Sequence, residues 1–201
     1  MKKIPKNLCI AVNGPPGIGK DTLVNKFEEL ATVPLHKGTL ADLIRAWAEL
    51  YYQYPGFAKL ATDQSTKDKI DERLRKTPRN ALISYSERVC KAEHGQDYIA
   101  KMFAKSMAGH KHAIMTDLGF DVETQELSKV FDLVITVQLK HPDFNFDNDS
   151  RKYIEQQATN NPVLEFQYMR DGDVEREVGI LEEQINFVLG LAIDAGISED
   201  H

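Results

Sequence analysis

Two patterns of apolar and polar positions alternate along the chain. Residues 8–12 are a short unbroken apolar run closed by Asn13-Gly14-Pro15-Pro16-Gly17, as expected of a strand buried on both faces that empties into a loop. From Asp21 onward Leu23, Val24, Phe27 and Leu30 recur at helical spacing, and Val33-Pro34-Leu35 offers a second short strand. Between Leu40 and Met107 helical patterns follow one another with almost no strand signal. They break at Tyr54-Pro55-Gly56 and at Thr77-Pro78, which opens a new helix. Strands are predicted again over 112–116 and 133–139, with a short helix over 122–130 between them. Residues 141–161 are polar and rich in Asn and Asp, a long excursion of the kind that often forms a lid. A last strand is predicted over 163–169, and Ile180, Leu181, Ile185, Phe187, Val188 and Leu191 mark a final amphipathic helix. The pattern predicts an α/β fold in three layers around a mostly parallel five-stranded sheet, with ligands at the C-terminal ends of the strands.

Composition narrows the classes without changing that picture. A chain of 201 residues favours one domain, and 42% hydrophobic with 28% charged residues is ordinary for a globular protein. Twenty-five basic against 31 acidic residues leave a net charge of −6, which argues against a generally basic nucleic-acid binder. No apolar run approaches the roughly 20 residues of a membrane helix, and Met1-Lys2-Lys3-Ile4-Pro5 lacks the apolar stretch of a secretory signal. The expectation is a cytoplasmic protein with no membrane partner. Cys9 and Cys90 are read as buried reduced thiols. The six histidines lack metal-ligand spacing, so no zinc site is proposed. The stripe Trp47, Leu50, Tyr51, Tyr54 reads as core or pocket wall, with core the default, and one of its rings could stack on a base.

Between the first strand and the first helix lies Gly14-Pro15-Pro16-Gly17-Ile18-Gly19-Lys20-Asp21-Thr22. A polyphosphate needs donors without bulk. Glycines let backbone N–H groups converge, the helix N-terminus adds partial positive charge, and Lys20 reaches the terminal phosphates. The common pattern puts Ser or Thr directly after the lysine, whereas here Asp21 intervenes and the hydroxyl sits at Thr22. Mg²⁺ could meet Thr22, Asp21 or only water, all suited to a hard ion.

This loop resembles that of the nucleoside monophosphate kinases, and its Gly-Lys-Asp-Thr resembles the bacteriophage-type deoxynucleoside monophosphate kinases. Further segments resemble the same family: Leu40-Ala41-Asp42-Leu43-Ile44-Arg45; Thr77-Pro78-Arg79-Asn80-Ala81-Leu82 with Arg88 and His94-Gly95-Gln96-Asp97-Tyr98; Met115-Thr116-Asp117-Leu118-Gly119-Phe120 followed by Glu123; and Asp149-Ser150-Arg151-Lys152-Tyr153. The resemblance implies a P-loop kinase that uses ATP and Mg²⁺, with a helical acceptor-binding region over 40–109, a lid over 141–161 and a deoxynucleoside monophosphate as its small-molecule partner. It allows a homodimer. By the same resemblance Asp42, Arg45, Arg79 and Arg88 would bind the acceptor, and Asp117 with Asp21 or Thr22 would hold Mg²⁺. Lys20, Arg79, Arg88, Arg151 and Asp117 would act in transfer, since guanidinium forks clamp phosphoryl oxygens. A related subgroup carries arginine where this chain has Gly119, so an acceptor contact there must be absent or supplied from elsewhere. Asp117 could instead cap a helix. Two rivals use the same loop: a kinase acting on a hydroxymethylated base in phage DNA, which needs an open basic groove, and an NTPase switch that hydrolyses ATP without an acceptor.

Overall fold

A computed structural model of the protein describes residues 7–31, 33–147, 149–155 and 161–194. The chain divides into two compact units, Met1–Gly38 with Ala104–His201, and Thr39–Phe103. The first is the α/β unit. Its strands are β1 (Leu8–Asn13), β2 (His36–Gly38), β3 (His112–Leu118), β4 (Leu133–Lys140) and β5 (Val163–Gln167). They form one sheet in the order β2-β3-β1-β4-β5, and every pairing is parallel. All six residues of β1 are buried because it is the central strand and helices cover both faces. Leu8, Ile10 and Val12 share a core with Leu23, Val24 and Phe27 of α1 (Lys20–Leu30) and with Val178, Leu181 and Ile185 of α8 (Val174–Asp194). Lys26 on α1 reaches Glu175 on α8 at 2.7 Å.

The connection from β1 leaves toward β2 on one side of the sheet, and the connection from β3 leaves toward β4 on the other. A crevice therefore opens between the C-terminal ends of β1 and β3. The register between these two strands slips between Ala11 and Asn13. Such a bulge re-aims a side chain at the end of a strand, and here it turns Asn13 toward β3.

The second unit is helical, with α2 (Leu40–Tyr51), α3 (Phe57–Thr62), α4 (Pro78–Tyr85), a π-helical turn (Ser86–Lys91) and α5 (Ala92–His94). Thr39 caps α2 and Thr77 caps α4, which carries Pro78 in its first turn. Helix α6 (Tyr98–Met107) carries the chain back to the sheet, followed later by α7 (Asp121–Leu127).

Several expectations need correction. The second strand occupies His36–Gly38 and not 33–35, the last strand ends at Gln167, and α8 begins at Val174, earlier than its apolar stripe suggested. Of that stripe Leu181 and Ile185 are buried, while Ile180, Phe187 and Leu191 are exposed. Of the stripe Trp47, Leu50, Tyr51, Tyr54, the first three form a pocket wall and not core: Leu50 is 76% and Tyr51 53% exposed, and with Trp47 they line an open cleft of about 440 Å³ together with Tyr85, His94 and Tyr98. Cys9 and Cys90 are free and buried, and burial pushes the Cys9 thiol up to about 12. No described helix is long and apolar enough to cross a membrane.

Candidate active site

The phosphate loop springs from β1 and ends on α1, whose N-cap is Gly19 at φ 103°. That left-handed backbone suits glycine, and a Cβ there would stand 3.0 Å from the Tyr168 ring. The helix therefore starts with no capping side chain, and its first N–H groups face the loop as an anion site does. Lys20 Nζ donates to Gly14 O at 2.7 Å and Pro15 O at 2.8 Å, curling over the loop. Burial, and then the charge of Arg151, lower its pKa to about 8 against the opposing pull of Asp21, Asp117 and Asp149. Arg151 and three carboxylates thus lie within electrostatic reach of the lysine. Asp21 and Thr22 are exposed on the first turn of α1.

Across the crevice, Asp117 is the penultimate residue of β3, half-buried. It is not a helix cap, because α7 starts after Phe120. The turn between is held by Glu123, whose carboxylate accepts Gly119 N at 2.7 Å and Phe120 N at 3.1 Å. Burial pushes that carboxyl up to about 8, opposed by the Gly119 amide and reinforced by the charge of Asp117. Among the described residues no three His, Cys, Asp or Glu side chains cluster as a metal cage. The donor set present, one or two carboxylates and a hydroxyl beside a phosphate cradle, fits Mg²⁺, which takes much of its shell from phosphates and water.

The segment after β4 crosses this crevice. Asn13, fully buried, donates through Nδ2 to Leu118 O at 2.8 Å and Lys152 O at 3.1 Å, and its Oδ1 accepts Ile154 N at 3.2 Å. Gln138 on β4 donates to Ile154 O, and Tyr153 Oη donates to Leu139 O at 2.9 Å. Residues 152–154 of the expected lid are thus tied to two strands, β1 and β4. Earlier in it, Phe144 stands 3.5 Å from where a Cβ on Gly17 would be, and the Arg170 guanidinium lies 4.6 Å from the Phe144 ring centre. Asn148 and 156–160, which belong to that lid reading, lie outside the described residues.

Arg151 rests its stem on Gly119 and grips Asp149 with Nε at 2.9 Å and Nη2 at 2.6 Å. Lys20, Asp21, Asp117 and Arg151 therefore gather at the β1/β3 crevice. No family model matches the chain. The tRNA modification GTPase of Rhodopseudomonas palustris (strain BisB18) is 39% identical over 51 residues, 24% of this chain, and the chain spans 11% of that protein's length. Among solved structures, shikimate kinase from Bacteroides thetaiotaomicron is 14% identical with a TM-score of 0.43, covering 89% of this chain and 98% of that one. A sugar kinase from Janibacter sp. HTCC2649 is 14% identical with a TM-score of 0.46, covering 89% and 95%. Likeness at this level concerns the arrangement of elements and not the substrate.

The remaining expected residues belong to the helical unit. Asp42, at the third position of α2, has its amide on the Thr39 hydroxyl at 2.9 Å and its carboxylate on Arg45 at 2.7 Å. Arg79 makes a two-pronged pair with Asp68, at 2.5 and 3.2 Å. Arg88 is exposed on the π-helical turn, a local element often found at functional sites. Sequence reasoning missed Asn13, Gln138, Tyr168 and Arg170. The last two could have been suspected, because Tyr168-Met169-Arg170-Asp171-Gly172 follows the C-terminal end of a strand. With Gly19 and Thr22 they border a hollow of about 120 Å³.

Proposed function

We propose that the protein is a kinase that moves the terminal phosphoryl group of ATP to a deoxynucleoside monophosphate in the cytoplasm. The observation that carries this reading is the convergence at one crevice of an uncapped, glycine-initiated helix, Lys20, Asp117 and Arg151. When bound, ATP with Mg²⁺ supplies the phosphoryl group and neutralises part of its charge. The chain's own residues then do the remaining work. The loop amides and Lys20 hold donor phosphates, Asp117 with Asp21 or Thr22 faces the cation, and the Arg151 fork meets charge spread over phosphoryl oxygens. The hollow beside Tyr168 leaves room next to the phosphate loop for part of the donor's nucleoside. Asp42, Arg45, Arg79 and Arg88 would serve the acceptor, as the family resemblance implies, and residues 141–161 would exclude water.

The acceptor is tested by incubating the protein with labelled ATP, Mg²⁺ and either the set of deoxynucleoside monophosphates or duplex DNA carrying hydroxymethylated bases, then resolving the products. Label should enter a free diphosphate, with shallow salt dependence, because one monophosphate releases few counterions. Label entering DNA alone would promote the DNA kinase, and free phosphate formed equally without acceptor would promote the NTPase switch.

A further inference from the structure

Gly119 has no backbone reason to be glycine. Its φ lies outside the left-handed region, unlike Gly17, Gly19 or Gly95, so any L residue could adopt its conformation. What excludes a side chain is Arg151: a Cβ at Gly119 would stand 2.5 Å from both Cγ and Cδ of Arg151 and 3.1 Å from its Cβ. Such a contact is far inside van der Waals range.

A clash with the far end of an arginine would be relieved by a rotamer change. Here the methylene stem is fixed at both ends. On the backbone side Arg151 N donates to Asp149 Oδ1 at 2.9 Å, and Lys152 N donates to Gly119 O at 3.4 Å. At the other end both prongs of the guanidinium hold Asp149, whose side chain is itself only 17% exposed. The fork geometry sets the plane of the guanidinium as well as its position. Gly119 is likewise fixed from below, where its amide meets the buried Glu123 carboxylate at 2.7 Å.

We propose that Gly119 and Asp149 are positioning residues that seat the Arg151 guanidinium beside Lys20, where it meets the phosphates of the bound nucleotide. The bare backbone of Gly119 is the floor of the seat and the Asp149 carboxylate is its clamp. This answers where a contact at position 119 comes from: the space a side chain there would take belongs to the methylene stem of an arginine arriving from the segment after β4. The inference rests on the reading of the phosphate loop as a nucleotide site, but not on the identity of the acceptor.

The test is a double-mutant cycle on the full chain, read as the affinity for ATP with Mg²⁺ by calorimetry, with thermal unfolding alongside. Arg151→Ala should weaken binding about tenfold, the scale of one charge-assisted contact. Gly119→Ala should weaken it nearly as much, and Gly119→Ala in the Arg151→Ala background should change nothing further, because residues acting only through a third lose their effect with it. Affinity of Gly119→Ala within twofold of wild type, or losses that multiply in the double variant, would overturn the proposal. So would an Arg151→Ala affinity equal to wild type. Should Gly119→Ala fail to fold, Asp149→Asn decides by the same cycle: it should weaken binding when Arg151 is present and not when it is absent, and equal effects in both backgrounds would overturn the seat. A wild-type protein that shows this coupling yet phosphorylates no monophosphate would overturn the kinase reading and leave the seat standing.

Discussion

Replacing Asn13 with alanine should damage fold and site together, and the geometry sets the size of the effect. Asn13 is completely buried at the end of the central strand, and its amide joins Leu118 O, Lys152 O and Ile154 N at 2.8 to 3.2 Å. Truncation leaves Leu118 O and Ile154 N without that partner in the buried interior, at about 1 kcal/mol or more each, and Lys152 O without it at a part-buried position, where the cost is smaller. The small void adds to this, so the total is about 3–5 kcal/mol. For a protein of this length that lowers Tm on the order of 10 °C. Asn13→Asp sharpens the test. Its carboxylate still faces Ile154 N but turns an oxygen toward the Leu118 and Lys152 carbonyls, so its folded pKa must lie above the unfolded value. A group of that kind is stabilising at low pH and loses its contribution as pH rises through the folded pKa. Asn13→Asp should therefore be less stable than Asn13→Ala at pH 8 and regain ground at pH 5. Denaturant titrations followed by circular dichroism at both pH values measure this. An Asn13→Ala variant within 1 kcal/mol of wild type would show that the strand ends do not depend on Asn13, and the account of how the segment carrying Arg151 is held would fall with it.

Lys20 titrates near pH 8 in the free protein because burial and Arg151 disfavour its charge, and phosphate arriving at Nζ raises that pKa again. Binding of ATP at pH 8 should therefore take up about half a proton, and almost none at pH 6.5, measurable by calorimetry in buffers of different ionisation heat; uptake independent of pH would refute the assignment. Asp117→Asn should raise the Mg²⁺ concentration needed for half-maximal turnover by about tenfold, since a neutral amide is a poorer ligand for a hard cation; an unchanged Mg²⁺ requirement would place the cation on Asp21 or Thr22 without Asp117.

The parts of the fold that could be read from the chain are those whose signal is local. Strands β1, β3 and β4 are continuous apolar runs because each is covered on both faces, and the phosphate loop is legible because its chemistry is carried by consecutive backbone groups. Strand β2 lies three residues beyond its predicted place for the opposite reason. Among the described strands it is an edge of three residues that pairs with β3, so His36-Lys37-Gly38 needs no apolar pattern, while the more hydrophobic Val33-Pro34-Leu35 carries the stronger strand signal. For the stripe Trp47, Leu50, Tyr51, Tyr54 the sequence leaves core and pocket wall open, because periodicity reports that one face is apolar and not what covers it, and Leu50 and Tyr51 face an open cleft.

The site was legible in its residue types and illegible in its connections. Lys20 stands where the loop after β1 enters α1 and Asp117 near the end of β3, so the motif and the strand pattern bring both to the crevice. Asn13 looks like an ordinary loop-opening residue until Lys152, 139 positions away, is seen to share its amide. Gly119 misleads further. The resemblance to kinases with arginine there implies a contact that is absent or supplied from elsewhere. In the fold a steric fact takes the place of that vacancy: the φ of Gly119 lies outside the left-handed region, and the missing side chain is the space for an arginine from beyond β4. Because sequence records the vacancy and its occupant in separate segments, only packing shows that the two are one feature. It follows that substitutions at 119 should be judged by what they do to Arg151 and not by glycine's backbone freedom: alanine, harmless to the turn, should be as damaging to the site as a bulkier residue, because the first atom of any side chain already meets the stem.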